Sequence, residues 1–197
     1  NIAYGPGRLK EIGTICNNLN IKNPLIVTDK GSPKLPFISN LQSYLSNSKV
    51  KSDLFFDISP NPREDEVSVG CKKFKDGNHD AIIAIGGGSA MDGGKLICLT
   101  ANNDVPLRDF EFELTPPIIS KDNPFPKIIT IPTTAGTGAE TEITAMVTYL
   151  KEGMKFCMWH PDVRPSLALI DPELKLGLPS NVTAWTGAEA LIHASEG

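Results

Sequence analysis

A chain of 197 residues, 40% hydrophobic and 21% charged, has apolar content for one sizeable core, or one and a partial second, and is not composed like a disordered segment. Its net charge of −4, with lysines scattered, argues against nucleic acid as a general partner, because phosphate-backbone affinity rests on clustered Lys and Arg. No apolar run approaches the roughly 20 residues that span a bilayer, and no basic segment followed by an apolar core opens the chain, so a cytoplasmic protein without a membrane partner is expected.

Taken in order, the residues alternate helix and strand signals. Leu9, Ile12, Ile15, Cys16 and Leu19 recur at helical spacing, which predicts a helix over 7–19 that Pro24 stops. Residues 25–28 read as a short buried strand ending in Asp29, Lys30 and Gly31. A carboxylate at the C-terminal end of a parallel strand accepts both ribose hydroxyls of an adenosine and repels a phosphate on the same sugar, so Asp29 is either such a ligand or a solvated turn residue. A helix over 35–45 and a strand over 53–57 follow, and the prolines of Ser59-Pro60-Asn61-Pro62 end that strand. The helix predicted over 63–75 has acidic residues in its first turn and lysines in its last, which complements its dipole at both ends.

The run Ala81-Ile82-Ile83-Ala84-Ile85 then predicts a strand buried on both faces, delivered into Gly86-Gly87-Gly88-Ser89. Glycines let an anion approach the backbone N–H groups, and the helix starting just beyond, to about Thr100, favours negative charge at its N-terminus. A phosphate cradle and a plain ligand-free turn both satisfy this run. The proline-rich stretch 102–126 is expected to be an insertion rather than a linker, because Phe110, Phe112 and Phe125 would be odd in a solvated tether. A strand over 127–131 leads into Thr133-Thr134-Ala135-Gly136-Thr137-Gly138, whose hydroxyls and glycines can clasp a phosphate or a ribose. A hairpin over 143–149 and 155–159 and a last strand over 167–170 precede a helix over 182–196, capped by Ser180 or Asn181. On that helix Glu189 and His193 stand four apart on one face, as two ligands of one divalent metal do, or as an ordinary exposed pair. Cys16, Cys71, Cys98 and Cys157 are widely spread with no C-x-x-C pair, the pattern of reduced packing residues.

Three motifs in order, Gly86-Gly87-Gly88-Ser89-x-x-Asp92, then Ile131-Pro132-Thr133-Thr134-Ala135-Gly136-Thr137-Gly138-Ala139-Glu140, then Thr186-Gly187-Ala188-Glu189-Ala190-Leu191-x-His193, resemble the iron-containing (group III) alcohol dehydrogenase family. The resemblance implies an α/β fold: a Rossmann-like parallel-sheet domain over 1–178, and over 179–197 the first helix of an all-helical second domain. It places the pyrophosphate loop on Gly87, Gly88 and Ser89, with Asp92 in the same motif, and gives the hydroxyl loop Thr133, Thr134 and Thr137. Asp29 matches the adenosine-ribose carboxylate, favouring NAD over NADP. Asn61 and Pro62 match a cofactor loop in residue type, Lys155 resembles a lysine that reaches the nicotinamide-side ribose, and Glu189 and His193 match ligands for iron or zinc.

The activity so implied is hydride transfer between the nicotinamide and a small alcohol or aldehyde whose oxygen a divalent metal polarises, in a family whose members often form homodimers. Two departures stand against it. Glu189 replaces the family's usual Asp, and the two further histidine ligands would lie beyond Gly197, since His79 and His160 match neither position. Glu142 also occupies a place where the family more often has a small hydroxyl residue. The expectation is an N-terminal piece, inactive alone, that leaves Trp185, Leu191 and Ile192 uncovered. Two other readings are a non-catalytic NAD-binding module and a relative with glycerol dehydrogenase or dehydroquinate synthase chemistry.

Overall fold

The computed structural model describes residues 1–196. In chain order the strands are β1 (Ile2–Tyr4), β2 (Pro24–Asp29), β3 (Asp53–Ile58), β4 (Ala81–Gly86), β5 (Lys127–Pro132), β6 (Thr144–Tyr149), β7 (Met154–Trp159) and β8 (Leu167–Ile170). The helices are α1 (Ile12–Asn18), α2 (Pro36–Asn47), α3 (Glu64–Asp76), α4 (Gly88–Ala101) and α5 (Ser180–Glu196). Six strands form one parallel sheet in the order β1-β8-β5-β4-β2-β3, and β6 and β7 pair separately as an antiparallel hairpin.

Alternation along the central strands sorts two cores. Leu25, Val27, Ile82 and Ala84 pack with Val67 and Phe74 of α3 and with Met91, Leu96 and Ile97 of α4. Ile26, Ile83 and Ile85, from the opposite pleat, pack with Ile12 and Cys16 of α1 and with Ile38, Leu41 and Leu45 of α2. A sheet covered by helices on both faces is why β2 and β4 read as apolar runs rather than as alternating strands. From β2 the chain crosses to β3 on one side, then returns past β2 to β4. Right-handed crossovers in opposite directions leave α2 and α4 on opposite faces, so a crevice opens between the C-terminal ends of β2 and β4.

Four elements depart from the sequence expectation; one is α5, which already starts at Ser180, so Ser180 and Asn181 lie within the helix rather than cap it. The helix over 7–19 is a 3-10 turn (Arg8–Glu11) followed by the shorter α1, because the buried Asp171 carboxylate accepts the N–H groups of Gly7 at 3.0 Å and Leu9 at 2.9 Å and pins the entry. Strand β1 was not expected at all; its three residues are too few to show a period, and it forms by pairing with β8. Helix α2 runs two residues past its expected end, to Asn47. The stretch 102–126 is an insertion packed on the hairpin: Phe110 is buried, Phe125 rests against Phe110 and His160, and the N–H of Phe112 bonds the Cys157 carbonyl at 2.8 Å.

Helix α5 has no buried residue, and Trp185, Leu191 and Ile192 are 66%, 71% and 53% exposed. Gly197, the last residue of the expected second segment, lies outside the described residues. No described helix is long and apolar enough to cross a membrane.

Candidate functional site

The crevice between β2 and β4 is where the sequence-selected residues meet. At its floor the Thr28 hydroxyl donates to the Ile85 carbonyl at 2.7 Å, locking the two strand ends together. Asp29 follows, and its carboxylate is held by the Gly31 N–H at 2.9 Å and the Ser32 hydroxyl at 2.8 Å. Gly86 faces it with φ of +145°, a conformation that L side chains rarely adopt, and a Cβ there would stand 2.7 Å from Ala90 Cβ and 3.1 Å from Asp29 Oδ2. The glycine is therefore required by both backbone angle and space.

Beyond the turn, α4 starts at Gly88, and the first N–H groups of any α-helix have no partner within it, so they face outward at its positive end. The hydroxyl loop after β5 stands over these groups. Its near end is fixed by the Thr133 N–H donating to the Gly86 carbonyl at 2.9 Å. Thr134 lies 3.6 Å from where a Cβ on Gly87 would be, and Thr137 Oγ1 lies 3.7 Å from the same point on Gly88. Asp29, Ser32, Gly87, Thr133 and Thr134 share one cleft of about 520 Å³, walled on its apolar side by Leu9, Leu35, Phe37, Leu174 and Leu178. Such a shape, a mostly apolar slot with converging polar groups at a strand switch, suits a nucleotide.

The other expected residues sit around this cleft rather than in its wall. The Ser89 hydroxyl donates to the Pro60 carbonyl, and the Pro62 carbonyl accepts the Thr148 N–H at 2.7 Å, so the loop carrying the exposed Asn61 is stitched to both α4 and β6. Asp92 faces the hairpin, near Met146 and Lys155. Burial pushes its carboxyl up to about 6, against the pull of the neighbouring Lys95 and Lys155 charges and with a push from Glu142. Lys155 is exposed on β7, and Glu142 is exposed with its Oε2 accepting the Thr144 hydroxyl at 3.1 Å.

Lys95 was missed in the sequence. It is among the largest fully buried side chains of the protein's described residues, and its Nζ donates to the Ala139 carbonyl at 2.6 Å and the Thr144 carbonyl at 2.9 Å. Burial lowers its pKa and the Asp92 carboxylate opposes that shift. The signal was present: one lysine, three residues after Asp92, in a helix whose following residues Leu96-Ile97-Cys98-Leu99 are all apolar.

Helix α5 brings Glu189 to the hydroxyl loop. A Cβ on Gly136 would stand 2.5 Å from Glu189 Oε2 and 3.0 Å from the Thr186 carbonyl, so that glycine admits the helix. Glu189 is half-buried there and His193, one turn on, is exposed. A carboxylate oxygen and an imidazole nitrogen suit iron or zinc in type. They fall short in number: among the described residues no group of three or more His, Cys, Asp or Glu is placed to hold a metal.

The family model for iron-containing alcohol dehydrogenase matches residues 1–172. A choline dehydrogenase of Bacillus subtilis is 35% identical over 99% of this chain and 48% of its own length. An NAD-dependent methanol dehydrogenase of Bacillus methanolicus is 33% identical over 98% of this chain and 50% of its own. The crystal structure of a 1,3-propanediol oxidoreductase superposes with a TM-score of 0.90 at 32% identity, covering 98% of this chain and 50% of that one. The sulfoacetaldehyde reductase of Bifidobacterium kashiwanohense, solved in complex with NAD+, superposes with a TM-score of 0.83 at 31% identity, covering 96% and 49%. The chain thus spans about half the length of the curated relatives it matches.

Proposed function

Because the chain belongs to the iron-containing alcohol dehydrogenase family, we propose that residues 1–178 form the dinucleotide-binding domain of an alcohol or aldehyde oxidoreductase, and that residues 179–197 open its metal-binding part. One observation carries this reading: the Asp29 carboxylate, the glycine turn and the hydroxyl loop converge on a single cleft at the strand switch. The name of the methanol dehydrogenase relative and the NAD+ complex of the reductase support the choice of cofactor.

In this reading the adenosine lies between the apolar wall and Asp29, whose carboxylate accepts the ribose hydroxyls. A phosphate on that ribose meets like charge, so NAD is preferred to NADP. The pyrophosphate takes the N–H groups of Gly87, Gly88 and Ser89 at the start of α4, where backbone and helix dipole act together. Thr133, Thr134 and Thr137 close over it with hydroxyl donors. Asn61, Pro62, Asp92 and Lys155 border the path beyond, on the nicotinamide side. Glu189 and His193 supply two donors for a divalent metal, iron or zinc, which when bound polarises a carbonyl oxygen. Hydride transfer to or from a small alcohol or aldehyde then follows from holding both reactants in register.

Calorimetric titration with NADH and NADPH tests the reading. Saturable NADH binding, tighter than NADPH, is expected; no binding of either nucleotide ends it.

A further inference from the structure

Helix α4 carries two features two turns apart: the glycine turn at its start and the buried Lys95. A lysine without solvent is tolerated only where its ammonium is fully occupied. Here it is spent on two backbone carbonyls, Ala139 and Thr144, which bracket the segment between the hydroxyl loop and β6. One turn back on the same helix, Asp92 lies near Met146 of the same strand. One side chain of this helix therefore holds two backbone groups of residues 139–144.

The two ends of the hydroxyl loop are fixed differently. The near end is fixed by sheet register, Gly86 opposite Pro132, and by the Thr133 N–H on the Gly86 carbonyl. The far end hangs on Lys95, helped by the Thr130 hydroxyl, which donates to the Glu140 carbonyl at 2.8 Å. Thr137 belongs to that far end: its Oγ1 accepts the Ala139 N–H at 3.2 Å and faces Gly88. Taking the donors of Lys95 away would orphan two carbonyls, one of them buried, and residues 137–139 would shift to find new partners.

We propose, resting on the dinucleotide reading above, that Lys95 is a positioning residue: it holds the far end of the hydroxyl loop over Gly88 and so sets affinity for the pyrophosphate and nicotinamide half of the cofactor, without touching the nucleotide. The adenosine half, bounded by Asp29 and Ser32, does not depend on it.

The test is to titrate NADH and AMP against the full chain with its native sequence and against Lys95→Met and Lys95→Arg, with circular dichroism and urea unfolding as the check on folding. The native chain binds both ligands. Lys95→Met weakens NADH tenfold or more and leaves AMP within twofold, and Lys95→Arg, which keeps charge and donors, recovers most of the loss. Equal losses of NADH and AMP, or a folded Lys95→Met that binds NADH like the native chain, overturn the proposal. Should Lys95→Met not fold, Lys95→Gln, which keeps an amide donor but neither the charge nor the full reach, takes its place: a loss confined to NADH supports the proposal, while equal losses or none overturn it. A native chain that binds no NADH overturns the dinucleotide reading itself, and this inference with it.

Discussion

Asp29 and Gly86 end two neighbouring parallel strands so close together that a Cβ on Gly86 would stand 3.1 Å from Asp29 Oδ2. The carboxylate and the turn are thus one rigid unit, and each constrains what the other can be.

The first consequence is a steric one. Gly86→Ala combines a φ of +145° with a 2.7 Å approach to Ala90 Cβ, and it should cost about 1–3 kcal/mol of stability, the usual size for a strained non-glycine position. NADH affinity should fall at least tenfold, because α4 must shift to relieve the clash. Urea unfolding and nucleotide titration read the two effects separately, and unchanged stability would contradict the packing described.

The second concerns the choice of cofactor. Asp29→Ala removes the acceptor for ribose hydroxyls and the negative charge that repels a 2′-phosphate. NADH should weaken about tenfold while NADPH holds or improves. The Gly31 N–H and Ser32 hydroxyl lose their acceptor as well, at roughly 1 kcal/mol of stability. Parallel losses of both nucleotides would remove Asp29 from its role.

Asp92 makes stability depend on pH in an unusual direction. Its folded pKa, pushed up to about 6, exceeds the ordinary 3.8, so the native state binds the extra proton. The contribution is therefore fully present below about pH 4 and is lost as pH rises through 6, by at most roughly 3 kcal/mol. Asp92→Asn, which removes the titrating carboxyl at nearly constant size, should gain stability relative to the native chain across that window. Urea midpoints at intervals from pH 4 to 7 measure it, and a constant difference between the two proteins would contradict the assignment.

The α5 pair gives a metal prediction. With only two donors in place among the described residues, zinc should bind this chain weakly and exchangeably, and His193→Ala should abolish that binding. A chelator should leave the thermal midpoint unchanged, because among the described residues no cluster of three or more metal ligands ties the fold together. A midpoint that drops on chelation would mean a structural site.

Much of this architecture was legible before any coordinates. Strands buried on both faces announce themselves as apolar runs, and Ile82 to Ile85 and Ile128 to Ile131 are of that kind. Glycines at a strand end likewise mark a turn whatever lies above it. What could not be read is what depends on distant partners. β1 has three residues and exists through its partners in β8, 166 positions away, and the entry to α1 is set by Asp171. Lys95 was hidden for a related reason: a lysine in a helix reads as a solvated face until the carbonyls of Ala139 and Thr144 are seen around it. The motif residues themselves divide, with Asp29, Gly87, Thr133 and Thr134 lining the cleft while Ser89 bonds to the Pro60 carbonyl and Asp92 lies beside the hairpin.

The most direct test of the central claim is a crystal structure of this chain grown with NADH. The account predicts the adenosine ribose on Asp29, the pyrophosphate on the N–H groups that open α4, and Thr134 and Thr137 closed over it. Nucleotide bound elsewhere, or a pyrophosphate directed away from Gly87 and Gly88, would contradict it.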